Sequence, residues 1–355
     1  MKSNLCIDLQ SDLLTAVLFD GSKSQSVVAS TIVVTEGKDP EDVVAELVAA
    51  IDCSNCRASL SLGASFFLFH NLSLPFSDRK SIEKILPFEL DESIIQDIDT
   101  LLIDTHVNPG SGKDVEIIAA MLERERLSQW HAAFQGAAIF PERITLSGQP
   151  SISGIFANGQ PPGTFLFLSL RTNDAALFLV ADGVLQLVRP LPFELFEIDA
   201  EESTGFIFDQ ESGELIARGL KTTRDAYKNL AVAIKQTLAP LASVTDPAKI
   251  SIYVEGSGAL MPNARTWLDE AFEMPCLVCG RGGILPVSTT LPEKTGRHAE
   301  YLTSCFSLGA YTDKINPEFD FCKDGFSPTD PMAKYRLLGK GLILCLGLVF
   351  ATSTA

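Results

Sequence analysis

Positive charge is scarce in this chain. Its 355 residues carry 28 Lys and Arg against 45 Asp and Glu, a formal net charge of −17. That balance excludes nucleic-acid binding, which needs a basic footprint for the phosphates. Anionic lipid would repel a body this acidic. An N-terminal apolar run is missing too. Asp8 and Asp12 arrive before any h-region can form, so no secretory signal peptide is read there. Histidine is rare. His70, His106, His131 and His298 show no H-x-x-H or H-E-x-x-H spacing, and no G-x-S-x-G elbow is found. The nearest approach to a phosphate loop is Gly110-Ser-Gly-Lys113. That motif needs Gly at 107 and Ser or Thr at 114, where Val107 and Asp114 stand, so the string reads as a turn.

Apolar residues are plentiful, at 46%, and there are eight cysteines. Cys6, Cys305, Cys322 and Cys345 sit singly in apolar surroundings and read as buried thiols. Cys53/Cys56 and Cys276/Cys279 are C-x-x-C pairs, and two such pairs can make a tetrahedral zinc site. They lie in opposite halves of the chain, each beside a strand-like run, and ordinary reduced thiols are the preferred reading.

The pattern of elements repeats. Leu5–Asp8, Leu13–Leu18 and Ser26–Val34 are strand-like, with turn residues between them. Asp39-Pro40 then opens a helix carrying Val43, Val44, Leu47, Val48 and Ile51. Strands over Ala58–Leu62 and Phe66–Leu74 follow. A helix with Ile82, Ile85 and Leu86 inward is interrupted at Pro87. A hairpin covers Leu101–Val107 and Val115–Leu122, then come a helix over Glu123–Phe134 and a strand over Ala138–Leu146. The second half opens alike, with Thr164–Leu170, Ala175–Val180 and Val184–Leu191 turning at Asn173-Asp174 and Asp182-Gly183. A polar excursion, Glu194–Gly219, precedes a helix striped by Tyr227, Leu230, Ala231, Ile234 and Leu238. Strand Ile250–Val254, a helix with Leu260, Ala264, Trp267, Leu268 and Ala271 inward, strand Cys276–Val278 and a helix over His298–Ala310 complete it. The boundary is placed in the Gly-, Pro- and Ser-rich stretch Ser147–Gly163.

Three antiparallel strands, then helix, strand, helix, strand, helix, occurring twice, is an α/β layout that resembles the actin-like ATPase (RNase H-like) fold. Two strings narrow the resemblance. Ile85-Leu-Pro-Phe-Glu-Leu-Asp-Glu92, followed by Asp97 and Asp99, resembles a stretch in the cytoplasmic part of protein L of type II secretion systems (GspL). Phe319-Asp-Phe-Cys-Lys-Asp-Gly-Phe326 resembles the segment that precedes that family's single membrane span. The type IV pilus assembly protein M (PilM) family shares the fold. The resemblance implies a scaffold, not an enzyme: an inner-membrane platform adaptor that recruits a secretion ATPase and joins platform proteins. It leaves a homodimer open. Glu89, Asp91, Glu92, Asp97 and Asp99 become candidate partner contacts.

The fold also raises an ATPase or kinase as the alternative. Active members carry Asp-x-Gly in each first hairpin, where glycine lets the backbone approach the phosphates and the carboxylates manage metal and water. Here the first hairpin reads Asp8-Leu-Gln-Ser-Asp12, keeping the acid and losing the glycine. The second reads Ser169-Leu-Arg-Thr-Asn173, with neither. Arg171 would fill the space that a glycine leaves open. The adenosine-side loop, Glu255-Gly-Ser-Gly-Ala259, is intact. Asp8, Gly256, Ser257 and Gly258 are therefore a degenerate nucleotide site with no turnover expected, no cofactor required and room for residual ATP binding. A metal or thiol protein built on the C-x-x-C pairs is the third reading.

After this acidic body come Lys334, Arg336 and Lys340, and then an uncharged apolar run from Gly341. Cations before an apolar run are how a span begins with its basic side in the cytoplasm. An apolar tail packed in a core or interface is the alternative at this length. The expected division is a first lobe over 1–155, a second over 160–312, a juxtamembrane linker over 313–333 and the start of a membrane helix over 334–355. The bulk of the chain would then lie on the cytoplasmic side of a bacterial inner membrane.

Overall fold

The computed structural model describes residues 3–20, 26–53, 56–108, 114–157, 163–194, 196–198, 205–209, 214–218, 220–222, 224–241, 250–280, 295, 298–311 and 319–327. The first lobe begins with β1 (Asn4–Leu9), β2 (Leu13–Phe19) and β3 (Val27–Val34), antiparallel neighbours. α1 (Pro40–Ala50) buries Val43, Val44 and Leu47 and leads to β4 (Arg57–Leu62), which lies parallel to β1. Next come β5 (Phe67–Leu74), α2 (Arg79–Asp91), β6 (Leu101–Asn108), β7 (Val115–Glu123) and α3 (Arg124–Gly136). β8 (Phe140–Leu146) then adds in parallel to β4, giving a sheet of order β3-β2-β1-β4-β8. A separate three-stranded sheet has the order β5-β7-β6.

α4 (Gln149–Ala157) crosses to β9 (Thr164–Leu170), β10 (Ala175–Ala181) and β11 (Val184–Leu191). Short ribbons pair β12 (Phe196–Ile198) with β15 (Leu220–Thr222) and β13 (Gly205–Asp209) with β14 (Glu214–Arg218). α5 (Arg224–Leu238), β16 (Ser251–Glu255), α6 (Ser257–Leu260), α7 (Ala264–Phe272), β17 (Cys276–Val278) and α8 (Thr303–Tyr311) finish the described helices and strands. The second large sheet has the order β11-β10-β9-β16-β17, antiparallel then parallel in the same places as the first.

The central strands are covered on both faces, which is why they read as nearly continuous apolar runs. Leu5, Ile7 and Leu9 join one core with α1 and α3, while Cys6 on the other face joins a second core shared with α8. β9 divides likewise: Phe165 and Phe167 enter the first core, and Leu166, Leu168 and Leu170 the second.

Some elements differ from the sequence expectation. α2 runs through Pro87, which stands on an exposed face of the helix, as does Glu83 one turn before it. The stretch taken as a boundary loop holds α4, whose Gln149, Ser151, Ile152 and Ile155 are buried. The helix expected over 260–271 is broken into α6 and α7, with Asn263 in the left-handed region between them. Part of the expected linker is packed: Phe319 and Phe321 are fully buried against the first lobe. The tail with Lys334, Arg336 and Lys340 lies outside the described residues, within which no helix is long and apolar enough to cross a membrane.

Candidate functional site: the cleft between the first hairpins

The strand registers place the two hairpins in equivalent positions. Asp8 sits opposite Ser61 on β4, and Ser169 sits opposite Glu255 on β16. Gln10 and Arg171 therefore occupy matching places at the two turns, each with its backbone N–H closing the turn, onto Leu13 O and Asp174 O. Both side chains turn inward. Gln10 donates from Nε2 to Asp8 Oδ2 at 2.9 Å and to Ser147 Oγ at 2.5 Å. Ser61 Oγ donates to Asp8 Oδ1 at 2.6 Å.

Arg171 is 5% exposed. Its Nη2 lies 3.6 Å from Asp8 Oδ2 of the first lobe and 3.8 Å from Glu255 Oε1 of its own. It also donates to Ser169 Oγ at 3.2 Å. Burial opposes the arginine charge, but Asp8 and Glu255 outweigh that effect and raise its pKa. Glu255 accepts from Ser151 Oγ at 2.6 Å, and burial, against the pull of Arg171, pushes its pKa up to about 7.

Asp12 completes the seam. Its Oδ2 accepts from the Thr172 N–H at 3.2 Å, from Thr172 Oγ1 at 3.0 Å and from Ser257 Oγ. Ser11 Oγ bonds Asn173 Oδ1 at 2.6 Å and Asp174 Oδ2 at 2.5 Å. Turn is thus stitched to turn across the lobes.

The glycines of the adenosine-side loop are already in use. Gly256 has φ +105°, and a Cβ there would lie 2.4 Å from Leu170 O and 2.9 Å from Arg171 Nη1. A Cβ on Gly258 would lie 2.4 Å from Arg171 O, and the Gly258 carbonyl accepts from Tyr227 Oη at 2.9 Å. A Cβ on Gly63 would meet Gln10 Oε1 at 2.3 Å. These glycines admit the protein's own Gln10, Arg171 and hairpin backbone. A magnesium-bound triphosphate does not fit these residues: a fixed cation and an amide fill the phosphate side, and Asp8 is taken up by Ser61, Gln10 and Arg171.

The structure thus brings together Asp8, Gly256, Ser257 and Gly258. Sequence reasoning also pointed to Arg171. It assigned no role to Gln10, Asp12, Ser61, Ser147, Ser151, Thr172 and Glu255, because single polar residues in strands, turns and helices carry no motif. The candidate partner residues lie elsewhere. Glu89, Asp91 and Glu92 are exposed at the end of α2, and Asp97 and Asp99 in the turn before β6. Two apolar side chains unforeseen in the sequence stand among them, Phe88 at 74% exposure and Ile95 fully exposed.

The C-x-x-C pairs show no such convergence. Among the described residues no group of three His, Cys, Asp or Glu could hold a metal ion. Burial raises Cys53 and Cys56 and takes Cys276 to about 12, so these thiols are poor thiolates.

No protein-family model and no curated protein matches this sequence. Solved structures do match its shape. A chain of the PilM–PilN type IV pilus biogenesis complex superposes with a TM-score of 0.68 at 14% identity, covering 88% of this chain and 99% of that one. The fold is actin-like. The cytoplasmic domain of EpsL, an inner-membrane component of the type II secretion system of Vibrio cholerae, matches with a TM-score of 0.50 at 11% identity, covering 92% and 100%. A Bacteroides thetaiotaomicron protein with an actin-like ATPase fold gives 0.46 at 9% identity over 78% and 90%. On this actin-like frame, the cleft where the two first hairpins meet is the place where Arg171 lies.

Proposed function

We propose that this chain is a non-catalytic, actin-like adaptor of a bacterial type II secretion or type IV pilus machine, in the manner of the protein L and protein M families. The observation that carries the reading is Arg171, which sits between Asp8 and Glu255 where an active site needs open backbone and a metal. The likeness of fold to PilM–PilN and EpsL supports the choice of machine, as does the acidic Ile85–Glu92 string.

In this reading Lys334, Arg336 and Lys340 hold the body on the cytoplasmic side of the inner membrane, and platform proteins join through the tail. The end of α2 is the face offered to a basic secretion ATPase. Carboxylates at Glu89, Asp91 and Glu92 crowd the negative end of the helix dipole, where no cation stands in the last turn. A cationic partner relieves that cost, and Phe88 and Ile95 give it apolar anchorage.

Reversing Glu89 and Glu92 to Lys and measuring ATPase capture by the full chain tests the site, since charged rims govern association rate and salt dependence. Unchanged capture removes this surface. Membrane fractionation with and without residues 334–355 tests the anchor; a full chain found wholly in the soluble fraction removes it.

A further inference from the structure

Residues 319–327 follow α8 in sequence and lie on the first lobe. The Phe321 N–H donates to Ile144 O at 2.7 Å, along the side of β8 that β4 leaves open. Phe319, Phe321 and Phe326 enter the first-lobe core, with ring contacts to His106 at 6.3 Å, Phe67 at 4.9 Å and His131 at 5.4 Å. Thr145 Oγ1 donates to Phe319 O at 3.0 Å. Asp104 on β6 holds the segment twice, accepting from the Asp320 N–H at 2.8 Å and pairing with Lys323 Nζ at 2.7 Å. Arg124 reaches Asp324 at 3.8 Å. This segment therefore bridges the edge of β8 and the sheet β5-β7-β6.

That sheet is only one layer thick. Ile118, Ala120 and Leu122 of β7 share the core that holds Phe319 and Phe321. The alternate residues Ala119 and Met121 pack with Leu86 and Leu90 of α2, and Ile117 packs with Ile82. One side of the sheet thus backs the segment, and the other backs the helix that carries the acidic surface.

We propose that residues 319–327 are a strap that couples the chain beyond Ser327 to the α2 surface through this sheet. The inference rests on the reading of α2 as a partner face for its purpose, though not for its mechanics. With the strap docked, whatever positions the tail positions β6 and, through it, α2, because a packed interior transmits strain. Freed, its nine residues would lengthen the tail's tether by roughly 30 Å, and α2 would lose the support behind its sheet.

Hydrogen exchange on the full chain tests the coupling, comparing wild type with Asp104→Asn and Phe321→Ala. Asp104→Asn loosens the strap without opening the core; Phe321→Ala removes its central plug. The expected result in both variants is exchange about tenfold faster at the amides of Asp320 and Phe321 and about threefold faster along α2, with β9 and β10 unchanged. Faster strap exchange with α2 unchanged overturns the coupling. So does an unchanged strap in both variants, or uniform acceleration that includes β9 and β10. If the coupling holds while the Glu89/Glu92 reversal leaves ATPase capture intact, the strap stands and the partner assignment falls.

Discussion

Arg171 turns the cleft from a binding site into a seam. A buried ion pair is weak evidence for net stability, but breaking one by removing a partner is costly because the remaining charge is stranded. Arg171→Met leaves Asp8 and Glu255 without their cation, and it is expected to destabilise the protein by about 3–5 kcal/mol in denaturant titration. Arg171→Lys should recover only part of this, because one ammonium cannot reproduce a fork reaching Ser169 and both acids. Glu255 supplies the pH dependence. Its pKa in the fold is raised from 4.5 to about 7, so folding favours the protonated acid. Its contribution is fully present below about pH 4.5 and is lost as pH rises through 7, on the order of 3 kcal/mol in all. Glu255→Gln should flatten that fall in unfolding free energy between pH 5 and 7. A variant whose profile parallels wild type would show that Glu255 stays ionised in the fold.

At the scale of elements, the β16–α6 turn shows what its glycines are for. Gly256→Ala meets both a positive φ and a backbone oxygen at 2.4 Å, so the variant should be strongly destabilised or insoluble. Gly183→Ala, at φ +82° with open space around it, should cost only about 1–2 kcal/mol. A thermal melt of the two variants separates close packing from backbone preference alone. The same elements show what the chain's pattern reveals. The hairpins at Gln10–Asp12 and Asp182-Gly183 are legible because turn chemistry is local, and Arg171 announced itself by standing where a glycine belongs. Proline and glycine misled where tertiary context prevailed. Pro87 is tolerated on an exposed helix face, and Gln149–Ala157, the start of the stretch after Ser147, folds into α4 because a core receives Ile152 and Ile155. The strap carries no period of either kind. Its Phe319 and Phe321 are buried by partners far away in sequence, such as Phe67 and His106. Glu255 was passed over because only the fold places it beside Arg171.

For the whole molecule, what matters is what holds the lobes together. In this chain the link is internal: Asp12 to Thr172 and Ser257, Ser11 to Asn173 and Asp174, Arg171 to Asp8. A nucleotide would have to displace Arg171 from two carboxylates before its phosphates could enter the cleft beside Asp8. A ligand stabilises a protein only in proportion to its binding to the folded state. Millimolar magnesium-ATP is therefore expected to leave the melting temperature of the full chain unchanged. Phosphate release should stay at background, because phosphoryl transfer needs positioned metal, water and backbone donors. Asp8→Ala serves as the control. Asp8 is bound to Ser61, Gln10 and Arg171, so its loss should lower stability without altering a phosphate signal that is not there. Magnesium-dependent turnover that disappears in Asp8→Ala would mean that Arg171 swings out of the cleft, and the chain would then have to be read as an ATPase.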